Sequence, residues 1–451
     1  MSSNKPESPL KSRRDFISGA AALTIAGAFG AGHLLSSCGS QKQRYEPPAL
    51  ADIAPDGPLL KAGLVGCGGR GTGAAFNFLN AGPNLQITAL GDVFRDRLDR
   101  CRQSLKEQRD VDIPDSNCFV GFDAYKHVID SGVDVVILAT PPHFRPEQFE
   151  AAVQARKHAF IEKPCAVDPV GARAVMASGK MAESAGLSVV SGTQLRHARD
   201  FLSTFGMVKN GAIGELISGT TLRLEGKLWH RNRQPGESDM EAMLRDWVNW
   251  TWLSGDHIAE QFVHQIDILN WFFEKFPSEA LGMGGRHRRV TGDQYDFISV
   301  DYTFDDKRKY QGFHRQIDGC HNQSEVLIYG TKGYTNCQNR IFDYDGNVVW
   351  EYQYVIGEDG QPARRLPVVR EDQSHINLVT AIRTNNPVNE AVTMASSSLV
   401  AVMGRESAYN GQKVTWEDMM NSSLRLGPEE YSMGAVNIPA EPPVPGTAPG
   451  S

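Results

Sequence analysis

Six residues do most to limit what this chain can fold into. Gly66-Cys67-Gly68-Gly69-Arg70-Gly71 has the spacing GxGxxG and stands between an apolar run, Leu60 to Val65, and a helix-like stretch, Gly71 to Asn80. A strand that enters a helix through such a turn leaves unpaired amides and the positive end of the helix dipole facing outward, and the missing side chains let a pyrophosphate approach the backbone. The hexad alone is a weak signal in a chain with 44 glycines. Its context strengthens it, because Asp92 closes the next predicted strand 21 residues beyond Gly71, where a carboxylate accepts hydrogen bonds from a ribose diol. Gly66, Gly68, Gly69, Arg70, Gly71 and Asp92 are therefore the candidate dinucleotide-binding residues. Asp92 repels a 2′-phosphate and so favours NAD over NADP, although Arg95 and Arg97 could serve the phosphorylated form.

The surrounding pattern agrees. Strand candidates Leu60 to Val65, Leu85 to Leu90, Val133 to Ala139, His158 to Ile161 and Leu187 to Ser191 alternate with helix-like segments, Phe94 to Gln108, Arg145 to Arg156 and Asp168 to Ala185 among them. That alternation predicts an α/β class with an amino-terminal Rossmann doubly wound parallel sheet over residues 59–195. Beyond residue 195 longer strands such as Ile298 to Phe304, Glu325 to Tyr329 and Val348 to Tyr354 are separated by turn signals like Asp345-Gly346-Asn347. An α+β domain for substrate and oligomerisation, with a large mostly antiparallel sheet, is expected over 196–437, followed by a disordered Pro-rich tail, 438–451.

The amino terminus reads as an address. Ser12-Arg13-Arg14-Asp15-Phe16-Ile17-Ser18 precedes a mildly apolar stretch, Gly19 to Leu35, and resembles a twin-arginine export signal. The stretch is too short to span a bilayer and ends in Leu35-Ser36-Ser37-Cys38, which resembles a lipobox. The reading is a signal over 1–37, a lipid anchor on Cys38 placing the protein on the periplasmic side of a bacterial envelope, and a linker over 38–58. The 46 basic and 53 acidic residues give a net charge of −7, or −9 once residues 1–37 are removed, which argues against nucleic acid as a partner. None of the remaining cysteines, 67, 101, 118, 165, 320 and 337, forms a CxxC pair, so free and mostly buried thiols are expected.

Two further groups carry chemistry. Glu162-Lys163-Pro164 ends the strand begun at His158, at the carboxyl edge of the sheet where open α/β folds place ligands. An ammonium there can bind hydroxyls or exchange a proton, and a solvated charged pair is the plain alternative. Downstream, at about 100° per residue, Glu260, His264, Asp267 and Trp271 share one side of a predicted helix while Phe262, Ile266, Leu269 and Phe273 line the other. Carboxylates one turn to either side are expected to favour the charged form of His264. A single His with no Cys nearby argues against a metal.

Together these motifs, with Ala139-Thr140-Pro141-Pro142-His143, resemble the Gfo/Idh/MocA family of NAD(P)-dependent sugar oxidoreductases from about Leu60 to Glu417. The resemblance implies a nicotinamide lying between the two domains, Lys163 near that ring and the reacting hydroxyl, His264 as proton-transferring residue, Asp267 as a substrate neighbour, and Thr140, Pro141, His143 and Glu162 beside the dinucleotide. Many members have Asp where Glu260 stands, which leaves that residue's catalytic role open. Trp229, Arg231, Arg245 and Trp247 suit a saccharide's C–H faces and hydroxyl rim, and the indoles equally suit core or subunit contacts. Pairing of sheet faces into a homo-oligomer is also implied.

The activity so implied is hydride transfer to or from a small carbohydrate substrate, with the cofactor retained after export. Two alternatives stay open: NAD-dependent glycoside hydrolysis by transient C3 oxidation, elimination and water addition, and a non-catalytic sugar-binding lipoprotein.

Overall fold

The computed structural model describes residues 44–355 and 368–446. The twin-arginine segment and Cys38 lie outside the described residues. Strands β1 (Leu60–Val65), β2 (Leu85–Asp92), β3 (Cys118–Val120), β4 (Val135–Leu138), β5 (His158–Ile161) and β6 (Val189–Ser191) form an all-parallel sheet in the order β3-β2-β1-β4-β5-β6. All four residues of β4 are buried, as a strand with helices over both faces requires. The order reverses between β1 and β4, so a crevice opens at their carboxyl ends, beside Gly66 and Ala139. Five of the six strands follow the expected apolar runs; β3 and the helix Ala124–Asp130 after it were not anticipated, because a three-residue strand carries no periodicity.

The second sheet has nine strands: β7 (Leu216–Glu225), β8 (Glu279–Gly285), β9 (Phe297–Thr303), β10 (Lys309–Gln316), β11 (Gln323–Gly330), β12 (Tyr334–Thr335), β13 (Arg340–Phe342), β14 (Val348–Glu351) and β15 (Val414–Thr415). Their order is β14-β13-β12-β11-β7-β10-β9-β8-β15, and only β7 and β10 pair in parallel. Helices Val263–Phe273 and Ala391–Asn410 cover one face. Phe262 and Leu269 seat on glycines, where a Cβ at Gly312 would lie 2.7 Å from the Phe262 ring and one at Gly219 2.8 Å from Leu269. Phe262, Ile266, Leu269 and Phe273 are all buried, as the expected core stripe demands. The other face presents Leu281, Met283 and Phe313 outward.

From Tyr45 onward the two sheets and their helices pack as one compact unit. The helix Arg370–Arg383 returns from the carboxyl-terminal half to the Rossmann core, stacking the His375 ring on Phe160 at 4.0 Å. Neither flank is loose where it is described. Tyr45 sets its ring edge-on against Phe205 and Ala54 is buried, so the expected linker packs from Tyr45 onward. Within the expected disordered tail, the Tyr295 hydroxyl donates to the Pro443 carbonyl at 2.7 Å, which ties the chain down at that point. The described cysteines are free, and all but Cys320 are buried.

The core holds several imidazoles in neutral form. Burial pushes His257 and His375 well below the ordinary histidine range and His143 down to about 3. In the unfolded chain each would take up a proton near pH 6.5, so the unfolded state binds more protons as pH falls and stability drains away on the acid side. Asp293, pushed up to about 6 by burial, acts in the opposite sense between about 6 and its unfolded value, as do the raised carboxyls of Asp92 and Asp256, but these three stand against six imidazoles, since burial also lowers His158, His264 and His314. The midpoint of urea unfolding is therefore expected to fall as pH is lowered from 7 to 5, and a rising midpoint would contradict this account of the buried imidazoles.

Candidate active site

The glycine turn is shaped by close approach. Gly66 has φ +95°, and a Cβ there would lie 2.6 Å from the Ala139 carbonyl carbon; a Cβ on Gly71 would lie 1.7 Å from the Gly66 oxygen. Gly68 and Gly69 meet nothing within 4 Å and face open space at the start of helix Gly69–Asn80. Asp92 has both carboxylate oxygens on backbone amides, accepting from Cys67 at 2.7 Å and Phe94 at 2.8 Å. It therefore braces the glycine turn as well as facing the cavity, and burial pushes its carboxyl up from the usual range.

A cavity of about 860 Å³ runs from this turn. Gly66, Gly68, Gly69, Arg70, Gly71, Asp92, Thr140 and Pro141 all line it. Of the two arginines considered for a 2′-phosphate, Arg97 lines the cavity, whereas Arg95 is bound outside to Asp99 and Asp115. His143 does not line it: its Nε2 meets the Tyr431 hydroxyl at 2.7 Å and its ring packs edge-on against Trp252. Its expected place beside the dinucleotide is thus corrected, since the ring packs among Phe144, Trp252 and Tyr431.

Glu162 reaches the cavity only through Arg70, whose Nε donates to it at 2.6 Å. Lys163, half-buried at the end of β5, sends Nζ to Glu260 Oε1 at 3.0 Å and also to the Glu260 carbonyl. One ammonium thereby joins the parallel sheet to the second half. Arg145, which sequence reasoning missed, fixes the backbone around this lysine. Its buried guanidinium donates to the carbonyls of Thr140 at 2.8 Å, Glu162 at 2.8 Å and Pro164 at 2.6 Å. Three strand-end carbonyls on one cation hold the β4 and β5 termini in register, and burial lowers its pKa to about 10.

The stripe expected on one continuous helix is split. Asp256–Glu260 and Val263–Phe273 are separate helices with Gln261 and Phe262 between them. Glu260 consequently turns to Lys163. Asp267 is held by Arg196 at 2.8 and 2.9 Å and accepts from Ser397 Oγ at 2.7 Å, leaving it an internal ion-pair partner. With both carboxylates engaged elsewhere, the expectation of a charged His264 is overturned. Burial first, then Lys163, Arg223 and Arg370, push its imidazole well below the ordinary range, so it is neutral. Arg223 was also missed; it bonds to the Gln261 side chain at 2.5 Å and carbonyl at 3.2 Å, pinning the break between the two helices.

Trp229, Arg231, Arg245 and Trp247 line the same cavity as the glycine turn, and Lys163, Glu260 and His264 do not. The structure thus brings together two sets: the cradle with the Trp/Arg group, and Lys163 with Glu260, with His264 within their electrostatic reach. Among the described residues no group of three or more His, Cys, Asp or Glu is placed to hold a metal ion. The cradle suits a dinucleotide, since the two glycines at which a Cβ would collide are those the tight turn needs, and open amides face the cavity.

Fold and cradle together define a two-domain protein whose first half is a dinucleotide-binding Rossmann domain. Residues 60–192 match the Gfo/Idh/MocA family model, described as oxidoreductase family, NAD-binding Rossmann fold. An inositol 2-dehydrogenase of Acidothermus cellulolyticus is 26% identical over 242 residues, 53% of this chain and 62% of that protein. A glycosyl hydrolase family 109 protein of Shewanella amazonensis is 25% identical over 296 residues, 64% of this chain and 57% of that protein. The chain thus matches less than two thirds of the length of either relative. Among solved structures, aldose-aldose oxidoreductase from Caulobacter crescentus complexed with glycerol superposes with TM-score 0.60 at 17% identity, over 79% of this chain and 99% of that one. Scyllo-inositol dehydrogenase from Lactobacillus casei with bound NAD(H) and scyllo-inositol gives TM-score 0.57 at 19% identity, again over 79% and 99%. These structures establish the two-domain fold.

The 1.7 Å approach at Gly71 leaves no room for a methyl group. Gly71→Ala should weaken NADH binding by about tenfold or more, because the turn must open to relieve the overlap. Titration of protein fluorescence with NADH checks this; undiminished affinity would mean that the turn does not carry the pyrophosphate.

Proposed function

We propose that this protein is an NAD-dependent oxidoreductase acting on a CH–OH group of a sugar or related cyclic polyol. The observation that carries the reading is the Lys163–Glu260 bridge at the carboxyl end of β5, next to the dinucleotide cradle. When bound, the dinucleotide supplies the two-electron acceptor or donor. Gly66, Gly68, Gly69 and Gly71 would hold its pyrophosphate, Asp92 its ribose, and Thr140 and Pro141 the cavity wall beside it. Lys163, with two N–H groups on Glu260, presents its third to the substrate oxygen and stabilises negative charge as the hydroxyl proton departs. A neutral His264 has a free lone pair to receive that proton, which an imidazolium would lack. Arg145 and Glu260 position the lysine. Arg97 in the cavity wall leaves room for NADP chemistry, but Asp92 favours NAD.

A second reading draws on the relatives described as glycosyl hydrolase family 109 proteins. In it, C3 would give a hydride to the bound dinucleotide, the neighbouring C–H would be acidified, the anomeric group would leave, water would add, and the same hydride would return to C3, so the net change is hydrolysis with no net redox. Lys163 and His264 serve both readings, and assay of a glycoside panel for keto-sugar and for released aglycone separates them. We further propose export by the twin-arginine route, anchoring through a lipid on Cys38, and self-association through the open face of the second sheet. On that face Met283, Ser299, Phe313, Leu222 and Glu325 stand in one cross-strand row.

Lys163→Met should lower turnover by about 10²- to 10⁴-fold while NADH binding persists. Unchanged turnover would remove the lysine from the chemistry. Because His264 is held neutral, kcat/KM should show no acid limb near pH 6.5; a limb there that disappears in His264→Gln would show that the imidazole titrates normally.

A further inference from the structure

The segment after β7, residues 226–250, lies over the Rossmann half, and its position conflicts with a role in gripping the substrate. Its inward side chains Trp229, Arg231, Leu244, Arg245 and Trp247 share one cavity with Gly66–Gly71 and Asp92. None of Lys163, Glu260 and His264 lines that cavity. A sugar bound among these indoles would therefore be gripped away from the candidate proton-transferring groups. What the cavity does hold at this end is the Asp92 carboxylate, Phe94 and Arg97, at the end of β2 where a Rossmann fold receives the adenosine ribose.

The segment is braced internally, and it seats Met240, Met243 and Leu244 in one buried cluster with Phe94 of the first half. Arg231 makes two bonds to Glu237, at 2.8 and 2.5 Å, and His230 meets Asp246 at 2.9 Å. Trp229 and Trp247 pack edge-to-face at 6.2 Å. The fastening is Arg245: its guanidinium lies over the Phe94 ring at 3.9 Å and pairs with Asp96 at 3.1 Å, while Arg97 donates to its carbonyl at 3.3 Å. Phe94, Asp96 and Arg97 all belong to the stretch that follows Asp92. The Arg245–Asp96 pair is partly exposed, and such pairs and cation–ring contacts are each weak, so Arg245 is the part of this contact that can loosen without parting the buried cluster.

We propose that residues 226–250 form a clasp that closes over the adenosine half of the dinucleotide and slows its escape, with Arg245 as the latch. The indoles cover a flat base, and Arg97, with no carboxylate paired to it among the described residues, supplies positive charge to the wall of a cavity that receives a dianionic pyrophosphate. The inference rests on the reading that the cradle takes a dinucleotide. For a protein that would meet no free cofactor outside the cell, slow escape is what permits repeated turnover.

The test is the dissociation rate of NADH from the loaded full-length protein, followed by fluorescence after dilution into excess NAD. Arg245→Ala and Asp96→Asn should each raise the rate, by about tenfold for Arg245→Ala, with the melting transition still cooperative. Asp96 lies outside the cavity, so a faster rate in Asp96→Asn isolates the latch even should Arg245→Ala fold poorly. Rates equal to the parent's in both variants would overturn the clasp. So would a Trp247→Phe variant with a raised KM for sugar and an unaltered NADH rate, which would return the indole to the substrate. A parent protein that binds no NADH at all would overturn the dinucleotide reading together with the clasp, and so is distinguishable from failure of the clasp alone.

Discussion

The ion pair between Lys163 and Glu260 is the contact on which the rest of the site depends. It joins the end of β5 to the helix pair of the second half, so the carboxyl edge of the parallel sheet faces residues that sequence places nearly a hundred positions away. A partly buried ammonium needs a counter-charge, and Glu260 supplies one while its carbonyl accepts a further bond. Behind the lysine, Arg145 gathers three carbonyls at the strand ends. Its role is geometric: without it these carbonyls would be buried and unpaired, a penalty of roughly 1–3 kcal/mol each.

Charge placement then follows from which carboxylate each cation takes. Glu260 goes to Lys163 and Asp267 to Arg196, so neither is free to favour protonation of His264. The imidazole is left between burial and three cations. An imidazole in such a place stays neutral over the physiological range and keeps a lone pair, as the proposed removal of a proton from a hydroxyl requires. The same arrangement would serve net oxidation or a transient oxidation followed by elimination, because both begin with that proton.

Much of this was legible in the residues. The GxGxxG turn after β1, the Asp92 position, the Lys163 strand end and the Phe262–Phe273 core stripe depend on local spacing, and local spacing survives folding. What could not be read has physical causes. The short β3 lacks periodicity. The break at Gln261–Phe262 interrupts a pattern that is continuous in sequence, because Arg223 from β7 binds both the carbonyl and the side chain of Gln261. His143, adjacent to the cavity residues Pro141 and Phe144, is drawn to Tyr431 and Trp252 by contacts more than a hundred residues distant.

By itself the sequence determined the cradle, the succession of strands and helices in the first half, and the residue types able to move a proton, since each follows from nearest-neighbour geometry along the chain. Only the tertiary structure decided which charges pair, that His264 is neutral, and that Trp229 and Trp247 line one cavity with the glycine turn. Those outcomes depend on which distant groups share a low-dielectric space, and Coulomb and desolvation energies are set by that proximity in three dimensions.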